Sequence, residues 1–542
     1  MLFLNLTEIC ELYLDGINIS AQGTQWCQAL SSSLLHLRVL SMSGSQLSGP
    51  FCQSFAKLQS LSVIQLDNND ISGPIPGFFA KFTNLTVLSL NNNNIAAMVP
   101  RLFANFSKLT ALSLQNCNLN GTLPKEIFQV PTLQTVDLSH NLQLHGSLPE
   151  FPENASLQFL DLSFTKVSGL LPDSIGNLKM LSFLNLFNCS FSGSIPKSMA
   201  SLTELVYLDM SSNMFNGSID SIYWGNHVSL QSLFLESNLL TGTIPSSIFS
   251  PPPLLVLTLS HNRFSGQLHE CSNVSSQLSL LDLSSNNLEG PIPASISNFQ
   301  ELAYLRLSSN HFNSFPSNGH PCQFEELYLA FNNLRAVPDI LRYQTSIRRL
   351  DLSGNQIQKV PNWFWSLHLL DYLNLSSNYL VTLAVPFNYT KEFSTLDLHS
   401  NQLKGSIPLL HANYLDYSSN HFTSIPTNIG DFLNPSTKFL SISSNDLHGL
   451  IPSSICNVIP LVILDLSIIS LSGTIPQCLS AMSHLEVLNL RRNNLTGSIS
   501  DFKFFEDCDL VSLELNQNQL HGQFPKSLAK CSNLQVVNLG NN

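Results

Sequence analysis

The sequence predicts an α/β solenoid, in which short parallel strands stack one per repeat. Three observations carry this. The frame L-x-x-L-x-L-x-x-N-x-L returns twenty-three times in 542 residues. Its spacing stays near 24 residues, a period that belongs to stacked repeat arrays. No segment of globular composition interrupts it, so a length that would otherwise suggest several domains is taken up by one array.

Each element of the repeat has a physical reason. The residues around L-x-L form a strand, and alternation sends the leucines inward and their neighbours outward. Strands about 4.8 Å apart would give a sheet running roughly 105 Å along its curve. One repeat cannot bury its own leucines, so its neighbours must cover them. This is the leucine-rich-repeat superhelix (horseshoe), with the parallel β-sheet on the concave face and about 23 repeats. After the strand the chain turns sharply and leaves polar backbone facing inward, which needs partners. Stacked asparagines answer this, predicting a ladder through Asn69, Asn93, Asn141, Asn213, Asn238, Asn262, Asn286, Asn310, Asn332, Asn355, Asn378, Asn401, Asn420, Asn445, Asn493 and Asn518. The x-G-x-I-P tail follows. Its Gly permits an unusual backbone angle and its Pro stops further pairing. What remains of each unit is long enough only for a turn of helix.

The array is not uniform, and the spacing predicts three stretches. Residues 1–312 are a regular 24-residue array. Residues 313–430 hold shorter units, most of which replace the Gly by Ser314, Ala336, Lys359, Thr382 or Ser424. Residues 431–542 return to the regular type and stop within the last frame. The incomplete first and last copies lead to the expectation of a piece of a longer protein, with a truncated gene product as the alternative.

Composition narrows the function. Charged residues are 11% of the chain and the net charge is −12, which argues against a nucleic-acid partner. There is no apolar run long enough to span a bilayer, and the N-terminus lacks the basic region and cleavage site of a signal peptide. Motifs for a nucleophile elbow, a phosphate loop, a zinc protease or a kinase are absent, so the chain reads as a non-enzyme. No cofactor and no metal site is expected; His269 and Cys271 lack a second ligand pair at zinc spacing. The eleven cysteines look too scattered for a disulfide scaffold. Cys117 and Cys189 occupy ladder positions and read as core thiols. Cys508 and Cys531 fall at nearly matching positions of successive repeats, which leaves a bridge between them open.

Recognition is expected on the outward positions of the strands. Phe159, Phe183 and Tyr207 recur at 24-residue intervals in one column, with Phe164, Phe187 and Phe234 beside them. Exposed aromatic columns make anchors for partners, although rings stacked between strands also stabilise a sheet. A second group, Tyr304, Arg306, Tyr328, Phe331, Arg348, Arg349 and Tyr372, spans the shortened units. Arg and Tyr are enriched in interface hot spots, and clustered Arg is unusual in a chain so poor in charge. Asp137, Asp161, Asp209, Asp282 and Asp351 form an acidic stripe too regular to mark a site. Sequons place candidate glycans at Asn84, Asn105, Asn154, Asn188, Asn216, Asn273, Asn374, Asn388 and Asn494. Asn188 and Asn374 are expected on the concave side, where glycan would restrict access.

The tail in NNDISGPIP, SNLLTGTIP and SNNLEGPIP resembles the plant-specific class of leucine-rich repeats. LYLDGINISAQGTQWCQALSSSL, LNLSSNYLV and YLDYSSNHF resemble receptor-like proteins of the tomato Verticillium-wilt-resistance type, over essentially the whole chain. That resemblance implies an extracellular solenoid at the plasma membrane that perceives pathogen-derived or peptide ligands. It implies a partner leucine-rich-repeat receptor kinase as co-receptor, a membrane helix and a defence response. The signal peptide, the N-terminal cap with its paired Cys, the C-terminal cap and the membrane segment of that family are not seen in this sequence. The alternatives are the ectodomain of a receptor kinase and a soluble secreted inhibitor of wall-degrading enzymes.

Overall fold

The computed structural model describes residues 6–19, 24–271, 274–316, 322–386, 390–433 and 437–542. Two compact units divide the chain: Met1–Asn287 with Asn298–Glu301, and Leu288–Ser297 with Leu302–Asn542. Each is a solenoid segment of stacked parallel strands. Among the described residues the first unit carries twelve such strands, from Glu11–Tyr13 to Leu280–Asp282, and the second eleven, from Tyr304–Arg306 to Val536–Asn538. That is one strand for each frame read in the sequence.

Most strands are three residues long, with the central residue buried and its neighbours partly exposed. Phe159, Leu160 and Asp161 pair in register with Phe183, Leu184 and Asn185, and both central leucines are fully buried. Stability therefore comes from leucine layers covered by the repeats on either side, each buried Leu contributing about 1.5–3 kcal/mol.

The asparagine ladder forms as expected. Asn262 Nδ2 donates to the carbonyls of Leu235 at 2.9 Å and Leu259 at 3.2 Å. Its Oδ1 accepts from the Leu240 N–H at 3.0 Å. Where Asn is missing, another donor usually serves. Cys117 Sγ reaches the Leu90 carbonyl at 3.0 Å, Cys189 Sγ the Leu162 carbonyl at 3.0 Å, and Thr165 Oγ1 donates to Leu162 O at 2.7 Å. Burial pushes the two thiols up, to about 12 for Cys117 and about 11 for Cys189, which keeps them protonated as donors. The residue before the ladder position adopts a left-handed backbone, as at Asn92 (φ 54°), Ser237 (φ 57°) and Ser285 (φ 54°).

One repeat keeps this geometry with residues unsuited to it at both positions. Ile469 holds the ladder position and is buried, and the β-branched Ile468 before it has φ 57°, a region costly for such a side chain. Replacing this pair by Ser and Asn, as in the preceding repeat (Ser444 and Asn445), should stabilise the protein by about 1–2 kcal/mol. A urea titration of the variant checks this; a lower midpoint than the parent would refute it.

The Gly of the tail sets a second, lateral row of strands. Gly193 (φ 79°) and Gly473 (φ 75°) lie in such strands, and the side chains of Leu170 and Leu450 occupy the space a Cβ would need. Seven lateral strands run from Asn120–Thr122 to Arg263–Gln267. In the Gly-poor stretch the row fails. After His311–Ser314, which pairs with a register shift at Gly290/Pro291, the described residues hold only the single bridge Lys359↔Thr382 until Lys404–Ser406. Short 3-10 turns then follow the Pro, as Asp173–Asn177 follows Pro172.

Cysteine usage corrects the expectation of scattered thiols. Three disulfides join residues 22 to 25 apart: Cys27–Cys52, Cys456–Cys478 and Cys508–Cys531. A separation near the repeat period places two residues side by side, so sequence distance misleads. The first bridge ties the nine-residue helix Gln25–Ser33 to the following repeat of the same unit, with Trp26 packed against Phe51 and Phe55. Cys10, Cys117, Cys189, Cys271 and Cys322 remain thiols.

Candidate functional site

The outward side chains of the strands fall into two columns, one before and one after each central leucine. In the first unit, Phe159, Phe183 and Tyr207 form a stack with centroids 4.3 and 4.6 Å apart and rings within 8° of parallel. Phe234 tilts against Tyr207 at 5.5 Å. Phe164 lies between His140, stacked at 4.4 Å, and Phe187, edge-on at 5.0 Å. All six aromatics are half-buried. The stacked rings cover much of one another's faces, so this column forms a half-buried apolar ridge.

The acidic stripe beside it is structural. Asp161 Oδ1 accepts the Ser163 N–H at 2.8 Å and its Oδ2 accepts from Asn185 Nδ2 at 3.0 Å. Asp209 accepts the Ser211 N–H at 2.9 Å and the Tyr207 hydroxyl at 3.2 Å. Asp137, Asp282 and Asp351 hold Ser139, Ser284 and Ser353 in the same way. Burial pushes the carboxyls of Asp161, Asp209 and Asp351 up, while these hydrogen bonds pull them back. Each aspartate caps the turn two residues on, which is why the stripe recurs.

The second unit gathers a different surface. Tyr304, Glu326, Arg349 and Tyr372 follow one another in the first column, and Arg306, Tyr328, Asp351 and Asn374 in the second. Glu326 is shared between Arg306 at 3.5 Å and Arg349 at 3.9 Å. The Arg306 guanidinium lies 5.8 Å from the Tyr328 ring centroid, and that of Arg349 lies 4.9 Å from Tyr372. The Tyr304 hydroxyl donates to Glu325 at 3.0 Å. Both arginines remain about half exposed, so the ion pairs add little stability and the groups stay available. Arg348 and Phe331 stand apart from this lattice. Arg348 precedes its strand, and Phe331, 61% exposed, sits in a left-handed turn over Gly354.

The columns continue beyond the residues singled out in the sequence. Thr395, Tyr414 and Phe439 extend the first column, with Tyr414 and Phe439 stacked at 4.1 Å. Asp397 and Asp416 extend the second, and the ligand atoms of Asp397, His399 and Asp416 lie within 4.8 Å of one another. The interval from Asn401 to Asn420 is only 19 residues, which shifts the frame. The shortened spacing itself was the signal that could have recovered them. Of the sequons, Asn84, Asn105, Asn154, Asn188, Asn216 and Asn494 are exposed. Asn374 is half-buried on its strand and accepts the Ser376 N–H at 2.9 Å. Asn273 and Asn388 lie outside the described residues.

Comparison with known proteins agrees with this architecture. Models described as leucine-rich repeat match residues 62–119 and 323–380, and also 156–178, 180–202, 229–250, 277–299, 436–458 and 484–504. Both describe the repeat itself. Receptor-like protein 18 of Arabidopsis thaliana is 31% identical over 176 residues, covering 31% of this chain and 21% of that protein. Receptor-like protein 53 of the same plant is 35% identical over 172 residues, covering 30% and 18%. The matched stretch is thus about a fifth of each relative's length. Among solved structures, the plant peptide hormone receptor RGFR1 in complex with RGF2 superposes with TM-score 0.77 at 28% identity, covering 96% of this chain and 91% of that one. The Arabidopsis receptor kinase HAESA, in complex with the peptide hormone IDA and the co-receptor SERK1, gives TM-score 0.72 at 27% identity, covering 98% and 86%. Among the described residues no helix is long and apolar enough to cross a membrane. The repeat frame, its asparagine ladder and the matching models show a leucine-rich-repeat solenoid, and the chain is similar to plant receptor-like proteins and to plant receptor ectodomains.

Proposed function

We propose that this chain is the extracellular ligand-recognition region of a plant receptor-like protein in defence signalling, and that it binds a peptide through the outward strand positions of its second unit. The observation that carries this is the half-exposed lattice of Tyr304, Arg306, Glu326, Tyr328, Arg349 and Tyr372. A chain with 11% charged residues places guanidinium and phenol groups side by side there, the side-chain types that dominate binding hot spots. The peptide-bound solved relatives support the ligand class, and the one solved with SERK1 supports a receptor-kinase partner at the cell surface. The ridge from Phe159 to Phe234 offers a second contact area.

The test is a peptide-library screen of the secreted chain, followed by variants of the lattice. Arg349→Ala with Tyr372→Ala should weaken the selected peptide by about tenfold or more while secretion and circular dichroism stay unchanged. Unchanged affinity would remove the lattice from the site. Phe183→Ala with Tyr207→Ala separates the roles of the ridge: weaker binding with an intact fold makes it a contact, unfolding makes it structural. Defence signalling is tested by an oxidative burst in leaves expressing the receptor and challenged with microbial extracts. The runner-up reading, a receptor-kinase ectodomain, is favoured by HAESA, a receptor kinase that covers 98% of this chain. A kinase domain in the transcript downstream of Asn542 would select it.

A further inference from the structure

The strand Glu392–Asp397 places a small residue between two tyrosines. Register sets Thr395 beside Tyr372 on one neighbouring strand and beside Tyr414 on the other. Strands two apart stand roughly 9.6 Å from each other at the usual spacing. A threonine side chain is shorter than either ring, so register leaves a gap above Thr395, a slot flanked by two half-buried tyrosines. The outer faces of both walls are already covered. Tyr414 stacks on Phe439 at 4.1 Å, and the Arg349 guanidinium lies 4.9 Å from the Tyr372 centroid. The faces toward Thr395 are the ones left to a ligand.

Carboxylates stand beside this slot. Asp397 lies two residues beyond Thr395, and Asp416 pairs with Asp397 in register. His399 Nδ1 is 2.7 Å from Asp397 Oδ1. Like charges directly opposite on adjacent strands are unfavourable. Both also cap turns, Asp397 accepting the His399 N–H at 3.0 Å and Asp416 the Ser418 N–H at 2.8 Å, and a cation alongside them relieves the repulsion that remains.

We infer that the slot between Tyr372 and Tyr414 receives the guanidinium of an arginine side chain from the peptide ligand, with Asp397 and Asp416 as its counter-charges. A planar guanidinium stacks on aromatic faces and forks onto carboxylates. The same sheet already shows half of this arrangement twice, with Arg306 over Tyr328 and Arg349 over Tyr372. The assignment rests on the peptide-binding reading above and adds the chemical class of one ligand residue. It is carried by the aromatic slot together with the carboxylates.

The experiment uses the secreted chain and two small probes, N-acetyl-arginine amide and its uncharged isostere N-acetyl-citrulline amide, followed by ligand-observed NMR titration. The arginine probe should bind about tenfold more tightly than the citrulline probe. Thr395→Phe, which fills the slot, and Asp397→Asn should each weaken it by about fivefold or more. If Thr395→Phe does not fold, Asp397→Asn and Asp416→Asn, nearly isosteric changes, carry the test. Equal binding of the two probes, or indifference to these substitutions, overturns the assignment. So does tight binding of calcium or magnesium alone that excludes the arginine probe, which would make the carboxylates a metal site. A library peptide that depends on Arg349 while the arginine probe ignores Thr395 leaves peptide recognition standing and removes the slot. An arginine probe that binds while no peptide does leaves the slot standing and removes the peptide reading.

Discussion

Replacing Asn262 by leucine should open the fold locally by about 3 kcal/mol. The Asn262 amide group reaches the Leu235 carbonyl at 2.9 Å and its oxygen takes the Leu240 N–H at 3.0 Å. Both backbone groups are buried, and leucine offers neither a donor nor an acceptor. Each orphaned group costs about 1–3 kcal/mol. Because each repeat touches only its neighbours, the loss should stay near residues 230–290. Amide hydrogen exchange is the readout, with protection there falling by about two orders of magnitude and distant repeats unchanged. Asn262→Cys should cost less, since Cys117 and Cys189 already serve as donors at ladder positions. Equal exchange in the parent and the leucine variant would show that the ladder carries no stability.

Gly430→Ala should cost at least about 3 kcal/mol. Gly430 lies in the short helix Ile429–Phe432, pressed against the neighbouring turn Ser453–Asn457. A methyl group there would overlap the Ser454 carbonyl and come within 2.8 Å of the Ile455 nitrogen. These are backbone atoms of an adjacent repeat, so no rotamer change relieves the clash and the two turns must separate. Gly77→Ala is the matched control, because nothing lies within 4 Å of its added carbon and its backbone is ordinary. The control should melt with the parent, whereas Gly430→Ala should lose several degrees. Coincident melting of all three proteins would mean that the turns are loosely packed in solution.

The two substitutions differ in what announces them. Asn262 stands at a fixed place in a frame, and the need for a buried amide follows from the turn that frame requires. Gly430 belongs to no frame. Its importance comes from the approach of Ser454, 24 residues away, and only the stacked structure shows that distance.

The candidate site divides along the same line. Phe159, Phe183 and Tyr207 were legible as a column because the repeat there keeps a 24-residue period. Whether their rings face solvent or one another was not legible, since that depends on side-chain rotation within the sheet. The Arg–Tyr group was legible as composition, but the sharing of Glu326 by Arg306 and Arg349 needed register. Tyr414 and Asp416 were not singled out, although the ladder positions Asn401 and Asn420, 19 residues apart, already fixed their place on a strand.

By itself the sequence determined the solenoid, the number of strands, the inward leucines, the asparagine ladder and the stretch where Gly fails. All of these are periodic, and a period fixes which residues face inward without reference to distance. Tertiary structure alone decided the Cys27–Cys52 and Cys456–Cys478 bridges, the use of each aspartate as a turn cap, and the slot between Tyr372 and Tyr414. Those depend on which atoms of adjacent repeats meet, and stacking sets that through register and side-chain rotation, which no single repeat encodes.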